Sequence, residues 1–346
     1  LGKTKKYSLK DIAEDLNVSK TTVSLVLNDK GNENKISQET QKRIKAYAKK
    51  NGYAPNQLAR GLSRGKSEAI GLIVPDISDQ FYAKIAGIIE KKAKKLGYNV
   101  VYSSTYEDSV EENKLIRSML NRQIDGLIIA STQNNADDIQ MLKHERVPFV
   151  LIDRHYPDKE TDYVVVNNFK GMKIATEHIL NLGRRKLGFI SLNTPLDALN
   201  QRYNGFKAAL NDCGIELDEK RVKTLNQGYF ADEMPNAIKQ LVENENVDSL
   251  VFGTHYLTME GLRILKSINV KVPEEVAIVS FDETQAFDLI SPPITAVIQP
   301  INDIGSLALE ILLKKIENRK TTNKLNYENI ILDLKLEVRK SCGIKD

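Results

Sequence analysis

From Ala69 onward, short apolar runs alternate with amphipathic stretches, and no other feature restricts the fold as strongly. Ala69–Val74, Asn99–Ser103, Asp125–Ile129, Pro148–Ile152 and Val164–Val166 read as strands, with helices at Phe81–Leu96, Val110–Arg122 and Asp137–His144 between them. A second set follows. Its strands fall at Lys186–Ser191, Arg221–Leu225, Ser249–Phe252 and Val276–Phe281. Its helices fall at Phe169–Leu182, Gln201–Asp212, Met234–Asn244 and Thr258–Ile268. A long helix at Ile301–Glu317 and a last strand at Ile330–Val338 close the chain. Strands separated by helices demand right-handed crossovers and parallel sheets, so the body is an α/β core with parallel sheets.

The first 66 residues differ. They hold 15 Lys/Arg against 6 Asp/Glu, whereas the remainder holds 35 against 40. The segment Tyr7 to Asn28, YSLKDIAEDLNVSKTTVSLVLN, reads as two short helices around a tight turn. Ser8 and Asp11 have capping-box spacing, and Ile12, Ala13 and Leu16 form an apolar stripe. Ser19 starts the second helix, with Val23, Val26 and Leu27 inward and Lys20, Thr21, Thr22, Ser24 and Leu25 outward. Ser37 caps a third helix, Gln38–Lys50, stopped by Gly52. Small polar and basic side chains on the second helix suit insertion into a DNA major groove. A basic small unit on an acidic large one is the charge pattern of a nucleic-acid-binding head on a sensor body.

The run from Leu9 to Asn28 resembles the helix-turn-helix of the LacI/GalR family, with Asp11, Ile12, Ala13, Val18, Ser19, Thr22, Val23, Ser24, Val26, Leu27 and Asn28 in register. Gly52-Tyr-Ala-Pro-Asn56 through Leu62 is similar to the family's hinge. In the family that hinge forms a short helix on DNA and wedges a leucine between base pairs. Further likeness lies in Asn181–Ile190, Arg202-Tyr-Asn-Gly-Phe206, Val272–Asp282 and Leu336–Ser341, so the resemblance spans the chain. It implies a small all-α helix-turn-helix head and an α/β two-lobed, periplasmic-binding-protein-like core with parallel sheets. The head takes residues 1–55, the hinge 56–66 and the core 67–346. Within the core, lobe 1 covers 67–166 and 297–327, and lobe 2 covers 167–296 and 328–346. Crossings between lobes are expected near Val166–Asn168, Thr295–Gln299 and Asn326–Leu332.

The resemblance also implies partners and sites. The protein is expected to be a cytoplasmic homodimeric regulator, and by family habit a repressor. It would bind a pseudo-palindromic double-stranded DNA operator and be controlled by a small effector, a sugar or sugar derivative. DNA-facing candidates are Ser8, Ser19, Lys20, Thr21, Thr22, Ser24, Leu25, Asn28, Tyr53, Asn56, Ala59, Arg60 and Leu62. Effector-facing candidates are Asp76, Phe81, Tyr82, Asp153, Arg154, Arg202, His255, Tyr256 and Asp282. Arginine forks suit vicinal hydroxyls or carboxylates, and Asp282 can accept from two hydroxyls. Two departures stand out: Leu25, where the family often has Arg or His, and His255-Tyr256, where it has Asn-Asp.

Rival classes are weaker. A free sugar-binding protein would need export, and the basic N-terminus has no apolar stretch behind it. An enzyme, cofactor or metal is not expected. Gly61–Ser67 is one residue short of a phosphate loop, HExxH and paired CxxC motifs are missing, and Cys213 and Cys342 lack metal spacing. No apolar run approaches the ~18 residues of a membrane span. Control by a protein corepressor is a rival within the same family.

Overall fold

The computed structural model describes residues 7–53, 66–319 and 326–344, and the chain divides into a unit ending at Ser67 and a unit beginning at Glu68. The hinge candidates Asn56, Ala59, Arg60 and Leu62 lie outside the described residues.

In the first unit the caps set the helices. α1 (Leu9–Asp15) opens with the reciprocal Ser8–Asp11 capping box. α2 (Lys20–Leu27) opens on Ser19, whose hydroxyl accepts from Thr22 N at 2.9 Å. α3 (Gln38–Lys50) opens on Ser37 and ends where Gly52 takes φ +61°. Ile12, Ala13, Val23, Val26, Ile44 and Ala48 form the core of this unit. The polar loop after Asn28 is tied down by Gln41, whose amide donates to Asn32 Oδ1 at 2.9 Å and to the Ile36 carbonyl at 2.8 Å.

The second unit holds two six-stranded sheets. The first runs β11 (Asn329–Leu332), β5 (Tyr163–Val166), β4 (Phe149–Ile152), β3 (Gly126–Ile129), β1 (Ala69–Val74), β2 (Asn99–Ser104), all parallel. The second runs β12 (Lys335–Glu337), β10 (Thr295–Ile298), β9 (Ala277–Phe281), β8 (Ser249–Phe252), β6 (Leu187–Asn193), β7 (Val222–Asn226), parallel except for β12. Helices cover both faces of each sheet, so each has two apolar layers, as an all-parallel arrangement requires. Against the first sheet lie α4 (Gln80–Lys95), α5 (Ser109–Asn121), α6 (Ala136–His144) and α11 (Ile301–Asn318). Against the second lie α7 (Asn168–Asn181), α8 (Asp197–Asp212), α9 (Phe230–Lys239) and α10 (His255–Ser267). No helix among the described residues is long and apolar enough to cross a membrane.

The structure corrects four sequence expectations. Residues 329–332, expected in lobe 2, form β11 on the edge of the first sheet. The single strand expected over Ile330–Val338 is broken at Asp333-Leu334 into β11 and β12, one for each sheet. One ribbon thereby covers two sheet edges that would otherwise stand unpaired beside the crossings. Residues 297–298, expected in lobe 1, belong to β10, a strand the sequence reading used only as a crossing. The helix expected to begin at Met234 starts one turn earlier at Phe230, with Pro235 inside it.

α7 and α8 pack backbone to backbone. A Cβ at Gly205 would stand 2.3 Å from the Phe169 carbonyl oxygen and 3.0 Å from Lys173 N. Neither atom can move without displacing a helix. Gly205→Ala is therefore expected to cost about 1–3 kcal/mol, seen as a fall of several degrees in the melting temperature of the full chain.

Candidate nucleic-acid interface and ligand cleft

On the helical unit, Ser8, Ser19, Lys20 and Thr21 are exposed, while Thr22, Ser24, Leu25, Asn28 and Tyr53 are half-buried. Leu25, expected to point outward, is thus partly covered. Ser8 and Ser19 spend one lone pair on their caps, and Ser19 Oγ also meets Thr22 Oγ1 at 2.8 Å. Asn28 finishes α2 by donating to the Ser24 carbonyl at 2.8 Å. Arg43 reaches the Leu16 carbonyl at 2.8 Å and Tyr47 the Asp15 carboxylate at 2.6 Å, so α3 holds the α1 end of the turn that presents α2.

In the two-sheet unit the strands of both sheets end on one cleft of about 650 Å³. All nine effector-facing candidates line it: Asp76, Phe81, Tyr82, Asp153 and Arg154 from the first lobe, and Arg202, His255, Tyr256 and Asp282 from the second. That is the position open α/β sheets give their ligands.

The two lobes build the cleft in the same way. Asp153 follows β4 and Asp282 follows β9, and each takes a left-handed backbone, φ +64° and +67°. A short acidic side chain tolerates that conformation better than a branched one. Each aspartate is paired with an arginine. Arg154 Nε lies 3.3 Å from Asp153, and its two terminal nitrogens bind Glu107 at 2.7 and 2.5 Å. Arg202 donates to Asn168 Oδ1 at 2.8 Å, to the Gly253 carbonyl at 2.7 Å and to Asp282 at 3.2 Å, with its guanidinium 3.7 Å above the Phe281 ring. Both arginines are buried, as is Asp153. Tyr82 donates to Asp153 at 2.7 Å and Gln299 to Asp282 at 2.5 Å.

Burial governs the titration of these groups. It pushes the Asp153 carboxyl up against the pull of Arg154, and drives the Tyr82 hydroxyl well above its ordinary value, aided by Asp153. The Tyr256 hydroxyl is pushed up to about 12, again by burial. Burial opposes the charge of Arg154, but Tyr82, Glu107 and Asp153 outweigh it and hold the guanidinium protonated. Asp79 caps α4 and sits 3.9 Å from His255 Nε2; burial raises its carboxyl while His255 draws it back.

Three contacts join the lobes around the cleft: Thr284 Oγ1 to Gln80 Oε1 at 2.9 Å, Asp197 N to Gln133 Oε1 at 2.9 Å, and the His255–Asp79 pair. Two buried polar atoms of the lining, His255 Nδ1 and Gln299 Oε1, have no hydrogen-bond partner among the described residues. Each costs about 1–3 kcal/mol unless a bound group satisfies it.

Sequence reasoning missed Glu107, Asp79, Gln299 and Phe230. Glu107 sits in a polar loop with successive left-handed residues at Tyr106 and Glu107, and only the fold shows that it faces Arg154. Asp79, three residues before Tyr82 and at N-cap spacing, carried a local signal that could have been used.

Residues 8–56 match the model for bacterial regulatory proteins of the lacI family, and residues 67–335 match the model for periplasmic binding proteins and the sugar binding domain of that family. The HTH-type transcriptional regulator RegA of Clostridium acetobutylicum is 30% identical over 339 residues, covering 97% of this chain and 99% of RegA. The ribose operon repressor of Halalkalibacterium halodurans is 28% identical over 335 residues, covering 96% of each. Among solved structures, the transcriptional regulator CelR in complex with cellobiose superposes with a TM-score of 0.71 at 25% identity, covering 97% of this chain and 100% of that one.

Proposed function

Because the chain belongs to the LacI family of bacterial regulatory proteins, we propose that it represses transcription by binding operator DNA as a homodimer and that a sugar bound between its lobes controls that binding. The observation that carries the effector half of this reading is the convergence of Asp153–Arg154 and Arg202–Asp282, from opposite lobes, on one cleft. Carboxylates that accept and guanidiniums that donate in a plane are the groups that hold vicinal hydroxyls. The orphan atoms of His255 and Gln299 give the ligand two further partners. The sugar-bound CelR structure and the ribose operon repressor support the same class of effector.

In this reading α2 enters the major groove, with Ser19, Lys20, Thr21, Thr22, Ser24, Leu25 and Asn28 toward the bases and Ser8 and Tyr53 toward the backbone. Leu25 offers an apolar contact for a thymine methyl, where an Arg or His would read a hydrogen-bonding edge. Asn56, Ala59, Arg60 and Leu62 act at the minor groove, with Leu62 as the wedge. Two heads on a two-fold axis read a pseudo-palindrome in the cytoplasm. Sugar and DNA are then coupled through the core, and each alters the affinity of the other by the same factor.

Fluorescence anisotropy of the full chain on labelled operator DNA, with and without a sugar that binds it, tests the proposal. The expected change in operator affinity is about 5–150-fold. An operator affinity that stays constant while sugar saturates the protein would refute the coupling.

A further inference from the structure

The strand order of the two sheets gives the cleft a length as well as a chemistry. In the first lobe Asp153–Arg154 leaves β4, beside the crossings, and Tyr106–Glu107 leaves β2 at the far edge. In the second lobe Asp282 leaves β9, while Gln227 and Phe230 follow β7 at the far edge. The first lobe thus contributes lining residues after β4, β1 and β2, and the second after β10, β9, β8, β6 and β7. Three strand spacings span about 14 Å. A pyranose ring is little longer than one spacing, so a single ring fills only the part of the cleft nearest the crossings.

The two ends of that length differ in character. Toward the crossings lie the two aspartate–arginine pairs, with the Arg154 side chain reaching outward to Glu107. From β8 outward the second lobe's wall turns apolar: Tyr256, after β8, and Phe230, after β7 at the edge, lie with ring centroids 5.5 Å apart, and Leu192, Leu199 and Met259 line the wall beside them. Met259 is 37% exposed, a large apolar side chain left open on a cleft wall. Flat apolar faces of this kind suit the C–H face of a sugar ring.

Charge narrows the class further. Six carboxylates line the cleft, Asp76, Asp79, Glu107, Asp153, Glu260 and Asp282, against two guanidinium groups. Both guanidiniums already hold protein carboxylates. A phosphate or uronate would bring further negative charge to a wall with no uncommitted arginine fork to receive it.

We propose that the effector is an uncharged linear oligosaccharide of at least two rings, laid across the strand ends. Its first ring sits among Asp153, Arg154, Arg202 and Asp282, and its next ring against Phe230, Tyr256 and Met259. This rests on the sugar reading above and names the class within it.

Calorimetric titration of the full chain separates the alternatives, with glucose, xylose, glucosamine, glucose 6-phosphate, maltose, cellobiose, xylobiose and cellotriose as probes. At least one of the di- or trisaccharides is expected to bind about 30-fold or more tighter than its constituent single sugar. Phe230→Ala and, separately, Met259→Ala are expected to erase about tenfold or more of that difference, while shifting single-ring binding by less than a factor of two. Met259 is exposed, so its variant folds even where Phe230→Ala loses packing. Single-ring, phosphorylated or amino sugars binding as tightly as the best oligosaccharide would overturn the proposal and leave the sugar reading intact. A preference for oligosaccharides that both variants leave untouched would overturn the placement of the second ring, and with it the proposal. No heat with any of these probes would overturn the sugar reading and the oligosaccharide with it.

Discussion

Arg202→Ala removes the sugar response of operator binding and lowers the melting temperature of the protein. Arg202 is 4% exposed and serves three acceptors at once: Asn168 beside a crossing between lobes, the carbonyl of Gly253 at the end of β8, and Asp282. Alanine leaves these three groups without their donor. Breaking a buried pair by removing one partner costs about 3–5 kcal/mol, which for a core of this size is a melting shift on the order of 10 °C. The same truncation deletes the second lobe's planar donor for hydroxyls. Sugar affinity is expected to fall by at least ~100-fold, since about 3 kcal/mol already exceeds that factor. Asp282→Asn separates the two effects. Asparagine accepts the left-handed backbone and keeps a hydrogen bond to Gln299, so stability suffers less while the charged acceptor for sugar is lost. A folded Arg202→Ala protein that still releases DNA on adding sugar would place recognition elsewhere.

Raising salt from 50 to 200 mM collapses operator affinity. The first 66 residues are net positive while the rest of the chain is net negative, and Lys20 stands exposed at the start of α2 while Lys49 and Lys50 end α3. A dimer neutralising six to ten phosphates loses about 10³–10⁵ in affinity over that range. Sugar binding in the cleft is held by buried, mutually screened pairs and an uncharged ligand, and should change little over the same range. Operator anisotropy and sugar calorimetry on one preparation check both halves. An operator affinity flat in salt would mean that the basic unit is not the DNA contact.

Much of this architecture is written locally. Ser8, Ser19 and Ser37 cap three helices through side chains within three residues of their targets, so the helical unit is readable from short words. The strand–helix alternation is equally local, because a parallel sheet buried on both faces leaves apolar runs between amphipathic ones. The nine cleft candidates were reachable because most of them follow strands whose ends the alternation already marks. What escaped depends on partners far away in sequence. Glu107 matters because Arg154, 47 positions on, faces it. β10 is four residues long behind two prolines, too short to assert a period. Ile330–Val338 reads as one strand, since nothing local says that Asp333-Leu334 passes between two sheets. Phe230 was lost with the misplaced start of its helix.

The ribbon that ends the chain has a consequence for how the protein is made. β5 ends at Val166, yet its parallel neighbour β11 begins at Asn329, and α11, which packs on the same sheet, begins at Ile301. A ribosome adding about 5–20 residues per second needs on the order of ten to thirty seconds to deliver β11 after β5. During that interval the earliest lobe to emerge stands unfinished, with one sheet edge unpaired and an apolar face uncovered, while the later lobe is still being synthesised. The two halves therefore complete together, only once β11 and β12 have emerged. Nascent chains shortened before residue 301 should accumulate as substrates for chaperones and proteases rather than as a folded half-protein.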